Sequence, residues 1–222
     1  AHTGLRTATL RDGGELRLPA DAVERIVVPL AGSFTVAYDD TTQVLEGRAS
    51  VFEGPTDVLY LGSGTAATIT GTGRVAVAEA PTETVVPSAY IARQDVPVEL
   101  RGAGRSSRQV HNFGTPAALD AVKFIVCEVI TPAGNWSSYP PHKHDTHVPG
   151  EESNLEEIYY YESAVSRGLS APGSADPFAL HRTYASDDRE IDEFRQVRTG
   201  DIALVPHGWH GPAVAAPGYD MY

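Results

Sequence analysis

Short runs of strand-forming residues recur along the whole chain, and they constrain its fold more than any other feature. Val, Ile, Thr, Phe and Tyr dominate these runs, and Gly, Pro, Asp and Asn separate them. The clearest runs are ERIVVPL (24–30), SFTVAYD (33–39), ATITGTGRVAVAEA (67–80), AVKFIVCEVI (121–130), EEIYYYE (156–162), ALHRTYA (179–185) and DIALVPHG (201–208). Many short strands spaced by about 8–12 residues are typical of β-sandwiches and β-barrels, so the sequence predicts an all-β protein.

The length of the chain, 222 residues, is enough for two domains of about 100 residues each. The polar, glycine-containing stretch RGAGRSSRQVHNFGTP lies between two blocks of predicted strands. We therefore predict an N-terminal β-barrel over residues 1–115 and a C-terminal one over 116–222. Six of the eight histidines fall in the C-terminal half, so we expect the working site there and no metal in the N-terminal half.

Charge and composition exclude several classes of function. A formal net charge of −12 and a pI near 5.0 argue against nucleic acid and anionic membranes as partners, because both would repel such a surface. No apolar run approaches the roughly 18 residues of a membrane span, and the N-terminus lacks the apolar stretch of a signal peptide. These features predict a cytoplasmic protein. Cys127 is the only cysteine and is predicted to be buried within its strand.

The segment NWSSYPPHKHD (135–145) carries the strongest chemical signal in the sequence. Alternate residues of a strand face the same side, so His142 and His144 present two imidazoles together while Lys143 faces away. A divalent ion needs three or four such groups, and imidazole with carboxylate suits Zn, Mn, Fe or Ni. Glu156 or Glu157 can supply the carboxylate, and His210, which follows a later strand and turn, is the candidate for a further ligand.

Strand alternation favours one of the two adjacent glutamates. Glu157 shares a face with Tyr159 and Tyr161, whereas Glu156 shares one with Ile158 and Tyr160. The interior of a sugar-binding barrel would favour the tyrosine-lined face. We therefore predict Glu157 as the ligand and keep Glu156 as the alternative.

These motifs resemble those of a known superfamily and, more closely, of one family. The H-x-H pair, the downstream Glu, and G-x5-P-x-G followed by His are similar to the two motifs of the cupins, although 12 residues separate His144 from Glu157. The following segments together resemble the 5-deoxy-glucuronate isomerase family of myo-inositol catabolism: NWSSYPPHKHD, LEEIYYYE, ALHRTYA with Asp187 after it, DIALVPHGWHGPAVAAPGYDMY, and the N-terminal GRASVFEGPTDVLYL.

The resemblance implies a fold, a metal site and a reaction. The fold is two cupin, jelly-roll-like β-barrels in one chain. One divalent metal ion, with Zn or Mn favoured, is bound by His142, His144, Glu157 and His210. The reaction turns 5-deoxy-glucuronate into 2-deoxy-5-keto-gluconate. Family members usually continue for a further strand, so part of the site wall is expected beyond Tyr222.

An aldose–ketose isomerisation moves a proton between two carbons next to a carbonyl, which requires a base. Candidates for this residue are Glu156, Asp145, Tyr184 and His207, and a hydride shift would need none of them. The substrate also carries a carboxylate, for which Arg182, on the face shared with Tyr184, is the first choice of partner. His181 lies on the opposite face.

Several alternatives stay open. A cupin with three His and one Glu also suits an iron-dependent dioxygenase, and a third reading is a non-catalytic sugar-acid-binding cupin. Either way the partner is a small sugar acid; a homo-oligomer is left open. Trp136, Tyr139 and Trp209 are expected to pack in the core rather than stack on a sugar.

Overall fold

The structure is a computed structural model that describes residues 2–186 and 189–222. Asp187, which was part of the family-like motif, lies outside the described residues. Within them there are 18 β-strands, three 3-10 helices and no α-helix, so the predicted all-β class is confirmed. The 3-10 helices are Val51–Glu53, Arg93–Asp95 and Gly104–Ser106.

The described chain divides into two compact units. Unit 1 runs to Val98 and takes in His111–Cys127, and unit 2 comprises Glu99–Val110 and Glu128–Tyr222. The strands that precede the first crossing are β1 (Gly4–Leu10), β2 (Glu15–Leu18), β3 (Val23–Tyr38), β4 (Thr41–Arg48), β5 (Val58–Leu61), β6 (Ala67–Pro81) and β7 (Ala89–Ile91). The chain crosses between the units along β8 (Val98–Arg101), β9 (Arg108–Gly114) and β10 (Val126–Ile130). The division into two barrels at residue 115 stays a prediction.

Unit 1 is built on two long antiparallel strands. Two predicted runs, 24–30 and 33–39, form the single strand β3, whose pairing with β6 is irregular between Pro29 and Ala31. The sheet has the order β1-β6-β3-β5-β7, with β2 paired to β6 and β4 to β3. Its buried positions are apolar, as in Val36, Leu45 and Leu59, which are fully buried. These side chains form one continuous core.

Unit 2 is assembled from smaller sheets. Its own strands are β11 (Trp136–Ser137), β12 (Glu157–Tyr160), β13 (Ser163–Val165), β14 (Ala179–Ser186), β15 (Arg189–Val197), β16 (Ile202–Val205), β17 (Trp209–Ala215) and β18 (Tyr219–Met221). One sheet has the order β11-β17-β14-β15, and two antiparallel pairs join β12 to β16 and β13 to β18. The small apolar core includes Ala179, Ala213 and Ala215, and it leaves the adjoining positions to polar and aromatic side chains.

Among the described residues, no helix is long and apolar enough to cross a membrane.

The prediction that Cys127 is buried is wrong, because the structure exposes it. Alternation along β10 turns Glu128, which is 2% exposed, inward instead of its neighbour. A run rich in apolar residues therefore does not tell which of its faces is covered.

Candidate metal centre

Three imidazoles and one carboxylate converge in unit 2. One ligand atom from each of His142, His144, Glu157 and His210 lies within 4.8 Å of every other. The oxygen Oε1 of Glu157 is 3.0 Å from Nε2 of His144, 3.3 Å from Nε2 of His210 and 4.0 Å from Nε2 of His142. The Nε2 atoms of His142 and His210 are 3.1 Å apart. The structure thus brings together the four residues that were predicted to hold a metal.

Backbone pairing places His142 beside His210. The two residues form an isolated antiparallel bridge, in which the amide of His142 donates to the carbonyl of His210 at 3.2 Å and the reverse bond is 2.9 Å. Next in the chain is Gly211, at φ +101, where a Cβ would collide with the carbonyl oxygen of Ser138. Here β17 carries an extra residue relative to β14, because His181 pairs with Ala213 whereas Thr183 pairs with His210.

The 12 residues between His144 and Glu157 form a loop that closes on itself. Val148 and Glu152 bridge each other, and the amide of Leu155 donates to the carbonyl of His144 at 3.1 Å. The Glu152 carboxylate accepts from the amides of Asp145 and Thr146 and pairs with Lys143 at 2.9 Å. Although the loop is long, it brings the chain back to His144 and places Glu157 beside it. Lys143 faces away from the cluster, as alternation predicted.

Asp145 fixes the turn that precedes His210. Its Oδ1 accepts from the amide of Gly208 at 2.7 Å, and its Oδ2 accepts from the hydroxyl of Ser186. Burial raises the pKa of Asp145, but these hydrogen bonds and the charges of Arg189 and Lys143 outweigh it, and the pKa lies below its usual value. Both carboxylate oxygens are engaged, which fits a structural role better than the proton transfer considered for this residue.

The surroundings of the cluster favour the charged form of the Glu157 carboxylate and the neutral form of the His142 imidazole. Burial raises the pKa of Glu157, but hydrogen bonds from His210 and Tyr159 and the charges of His210 and His144 outweigh this effect and lower the pKa to about 2. Burial is also the main reason why the pKa of His142 is lowered, with the charge of His210 next. Deprotonated imidazole and ionised carboxylate are the states in which these side chains bind metal ions.

A buried polar wall adjoins the cluster. Tyr159 and Tyr161 stack with ring centroids 6.0 Å apart, on the face shared with Glu157. The hydroxyl of Tyr161 is 2.6 Å from Nδ1 of His181, whose Nε2 is 2.9 Å from Oγ1 of Thr183. Burial first, and the charge of His210 second, lower the pKa of His181 to about 4. The sequence predicted the tyrosine face but did not assign His181 to it.

Arg182 and Tyr184 are not brought to the cluster. They occupy the less buried positions of β14, whereas His181 and Thr183 are buried, at 3% and 1% exposed. Arg182 forms an ion pair with Asp192 and lies 5.3 Å over the ring of Tyr184. The alternation was predicted correctly, but the inward face carries His181 and not Arg182. The role of Arg182 in binding the substrate stays a prediction, and its side chain lies on the face of β14 opposite to His181.

Two further predicted residues lie near the cluster in sequence but not within it. Glu156 precedes β12, and only its neighbour Glu157 contributes a carboxylate to the group. His207 lies in the turn between β16 and β17, where its Nδ1 is buried and has no hydrogen-bond partner among the described residues. Their roles in proton transfer stay predictions.

The aromatic residues around the H-x-H segment are not core residues. Trp136 and Tyr139 are 40% and 45% exposed, and their rings meet edge to face at 5.3 Å. The expected core packing is wrong for these two, because Trp136 lies in a two-residue strand at the edge of its sheet and Tyr139 follows that strand. They form an exposed aromatic pair just before the cluster in the chain.

The donor set suits a cation. Two imidazole nitrogens only 3.1 Å apart repel each other unless a proton or a metal ion lies between them, and both also face Oε1 of Glu157. Nδ1 of His210 faces the carbonyl of Gly208 at 3.4 Å, so Nδ1 can keep its proton when Nε2 gives up its own to bind a metal ion. Three nitrogens and one carboxylate oxygen match the ligands preferred by first-row divalent metals.

Comparison with known proteins gives matches over the whole chain. Residues 1–222 match the KduI/IolB family. A 5-deoxy-glucuronate isomerase of Geobacillus thermodenitrificans is 45% identical over 148 residues, or 67% of this chain and 50% of that protein. One from Bacillus velezensis is 36% identical over 225 residues, which cover 100% of this chain and 79% of the relative. The first match thus spans half the length of that relative.

Solved structures agree with these matches. An IolB-like protein from Salmonella typhimurium LT2 superposes with a TM-score of 0.88 at 38% identity, covering 99% of this chain and 81% of the other. An oxalate decarboxylase of Lactobacillus farciminis superposes at 0.63 with 9% identity, over 100% of this chain and 76% of the other, which shows the fold alone. The predicted cupin fold is confirmed.

Proposed function

The chain belongs to the KduI/IolB family, and on that premise we propose that it is a metal-dependent aldose–ketose isomerase. The proposed reaction converts 5-deoxy-D-glucuronate to 2-deoxy-5-keto-D-gluconate. Relatives at 45% and 36% identity carry the name 5-deoxy-glucuronate isomerase, which supports this substrate. The observation that carries the proposal is the convergence of His142, His144, Glu157 and His210 within 4.8 Å.

In the proposed site, these four side chains hold one divalent ion, with Zn or Mn favoured. When bound, such an ion supplies Lewis-acid stabilisation of negative charge on the substrate oxygens. The chain's own contribution is to orient the ligands. The carbonyl of Gly208 orients His210, and the hydroxyl of Tyr159 hydrogen-bonds Glu157. His142, whose side chain is 45% exposed, marks the open side from which substrate arrives.

Proton transfer is assigned to Glu156 or His207, since Asp145 is fully hydrogen-bonded and Tyr184 faces away. The route can be tested in deuterated solvent. A base exchanges its proton with solvent, so product formed in D₂O should carry deuterium on the carbon that receives it. Product without deuterium would indicate a hydride shift, which needs no base.

The proposal as a whole is tested by metal content and turnover. The purified protein should contain about one divalent ion per chain by elemental analysis, and it should lose activity on chelation and regain it on refilling. His142→Ala and His210→Ala should each remove most of the metal. His147→Ala is the matched control, because His147 is an exposed histidine of the loop between His144 and Glu157. Full metal content in both cluster variants would exclude the ligand set.

The alternatives are not favoured. A cupin dioxygenase should consume oxygen and prefer Fe(II), whereas the isomerase should work without oxygen. A non-catalytic sugar-acid binder would bind 5-deoxy-glucuronate without turnover after metal is supplied. The isomerase names of the relatives support an enzyme acting on a small molecule. Two cupin barrels, a cytoplasmic location and a homo-oligomer stay predictions from the sequence.

A further inference from the structure

The proposed substrate is an acid, and the metal ligands do not account for the recognition of its carboxylate. Unit 2 belongs to a chain of net charge −12, so an anionic substrate needs a local positive charge near the cluster. The sequence suggested Arg182 for this role, but that side chain faces away. If the proposed function holds, another basic residue of unit 2 must bind this carboxylate.

Most basic side chains of unit 2 already have a carboxylate partner. The ion pairs are Arg101–Glu99, Lys143–Glu152, Arg182–Asp192, Arg189–Asp145, Arg195–Glu193 and Arg198–Asp176. Among the described residues of this unit, three arginines have no carboxylate within 4.0 Å: Arg105, Arg108 and Arg167. Arg105 and Arg167 are exposed, whereas Arg108 is half-buried.

The guanidinium of Arg108 has donors to spare. Its Nη1 donates to the carbonyl of Ser106 at 2.9 Å, and within the described residues the guanidinium makes no other hydrogen bond. The group lies over Gly102, at φ +81, where a Cβ would come within 2.8 Å of Nη1. Glycine at this turn therefore leaves room for the guanidinium. Nε and Nη2 remain available for the paired hydrogen bonds that an arginine makes to a carboxylate.

Arg108 is also close to the segment that carries the H-x-H pair. The side chain of Asn135 donates to the carbonyl of Ser107 at 2.8 Å, so the backbone beside Arg108 is tied to the start of the 135–142 segment. Strand β11 of the same segment also lies beside the 3-10 helix Gly104–Ser106, which ends two residues before Arg108. The exposed Trp136–Tyr139 pair belongs to the same segment and offers an aromatic surface beside it.

We propose that Arg108 binds the carboxylate of the substrate and determines the preference for a sugar acid over a neutral sugar. With the reacting end of the substrate at His142, His144, Glu157 and His210, the acid end extends toward β9. Arg108 is thus a specificity-determining residue of the site.

The test compares Arg108→Gln with Arg108→Lys and with Arg105→Gln and Arg167→Gln as matched controls. All are measured as metal-loaded full chains. Arg108→Gln should raise KM for 5-deoxy-glucuronate by about 10- to 100-fold with a smaller change in kcat, because a charge-assisted pair is lost. Arg108→Lys should recover part of this loss, and both control variants should keep the wild-type KM. Metal content should be the same in all five proteins.

A neutral analogue, the amide of 5-deoxy-glucuronate, separates charge recognition from general damage. Wild type should discriminate strongly against the amide, and Arg108→Gln should lose most of that discrimination while turning over the amide as well as wild type does. An unchanged KM in Arg108→Gln, or an equal loss in Arg105→Gln, would overturn the role of Arg108.

Calorimetric binding of the acid and the amide makes the two proposals distinguishable. If wild type does not turn over the acid but binds it in an Arg108-dependent way, the isomerase proposal fails and the carboxylate site stands. If wild type is active and binds acid and amide equally, the isomerase stands and the Arg108 site fails.

Discussion

The interiors of the two units differ in chemistry although both are made only of strands and turns. Unit 1 fills its core with Val, Leu, Ile and Phe side chains that form one continuous cluster. Unit 1 also buries the charged side chains of Arg25 and Glu24, but these are paired with Glu79 and Tyr60 of the same unit. In unit 2 the apolar core is small, and the buried polar residues include His181 and His210, which adjoin or belong to the cluster. Apolar burial stabilises a fold, whereas buried polar groups stabilise it only when they are paired. We therefore expect unit 1 to contribute mainly stability and unit 2 to carry the proposed metal site.

The largest effect should come from breaking the cluster in unit 2. Glu157→Gln keeps the shape of the side chain but removes the charge that faces three imidazoles. Loss of residues that merely orient metal ligands costs about 10- to 100-fold. We therefore expect loss of this ligand to lower kcat/KM by at least about 1000-fold, with most of the metal lost by elemental analysis.

Glu156→Gln is the control for that variant, since it changes the adjacent glutamate. It should keep its metal even if proton transfer slows. Metal loss in Glu156→Gln with normal content in Glu157→Gln would reverse the assignment of the two glutamates.

The converse change, in the core of unit 1, should act on stability alone. Leu59 is fully buried, and truncation of such a leucine to alanine removes apolar contacts and leaves a cavity. We expect Leu59→Ala to lower the free energy of unfolding by about 2–5 kcal/mol in denaturant titrations. Metal content and kcat at low temperature should match wild type. A change in metal content of the folded variant would show that the core of unit 1 also affects metal binding in unit 2.

The outcome of the sequence predictions follows the same contrast. In unit 1, apolar periodicity predicts the strands and also which of their faces are buried. The exception is that two predicted runs form the single strand β3. In unit 2, the H-x-H spacing and the tyrosine face predicted residues that do converge. Both faces of β14 are polar, however, with His181 and Thr183 on one and Arg182 and Tyr184 on the other. Hydrophobic patterning cannot choose between two polar faces, and this explains why Arg182 was preferred.

Residues far apart in sequence were the hardest to predict. Arg108 lies in a polar stretch that reads as an ordinary connection, and only its spatial relation to Asn135 relates it to the site. Cys127, Trp136 and Tyr139 were assigned to the interior because their residue types are usually buried. The exposed strand face and the short edge strand that carry them are tertiary features, which local sequence does not encode.

The polar wall of unit 2 should make its stability depend on pH. His181 faces Tyr159 of β12 and Tyr161, which directly follows that strand, and it lies near His210 and Glu157. Its pKa is lowered to about 4, by burial first and by the charge of His210 second. A lowered pKa means that the unfolded chain binds the proton more tightly. The contribution is therefore complete above about pH 6.5 and is lost as the pH falls through about 4.

In chelated protein, denaturant unfolding between pH 7 and 4 should show this loss, on the order of 3 kcal/mol from His181. His181→Gln should flatten the dependence, whereas His147→Gln, at an exposed histidine, should leave it unchanged. An equal slope in wild type and His181→Gln would assign the pH dependence to other groups.

The smallest effect should come from Arg182, which lies on the face of β14 opposite to the buried His181 and Thr183. Its ion pair with Asp192 has a partner that is 80% exposed, and such pairs contribute about 0–1 kcal/mol. Arg182→Gln should therefore leave kcat/KM for 5-deoxy-glucuronate within about twofold of wild type and lower the free energy of unfolding by less than about 1 kcal/mol. Steady-state kinetics beside Arg108→Gln gives the comparison directly. A KM raised by Arg182→Gln as much as by Arg108→Gln would mean that β14 turns its outer face, and not its buried one, toward the substrate.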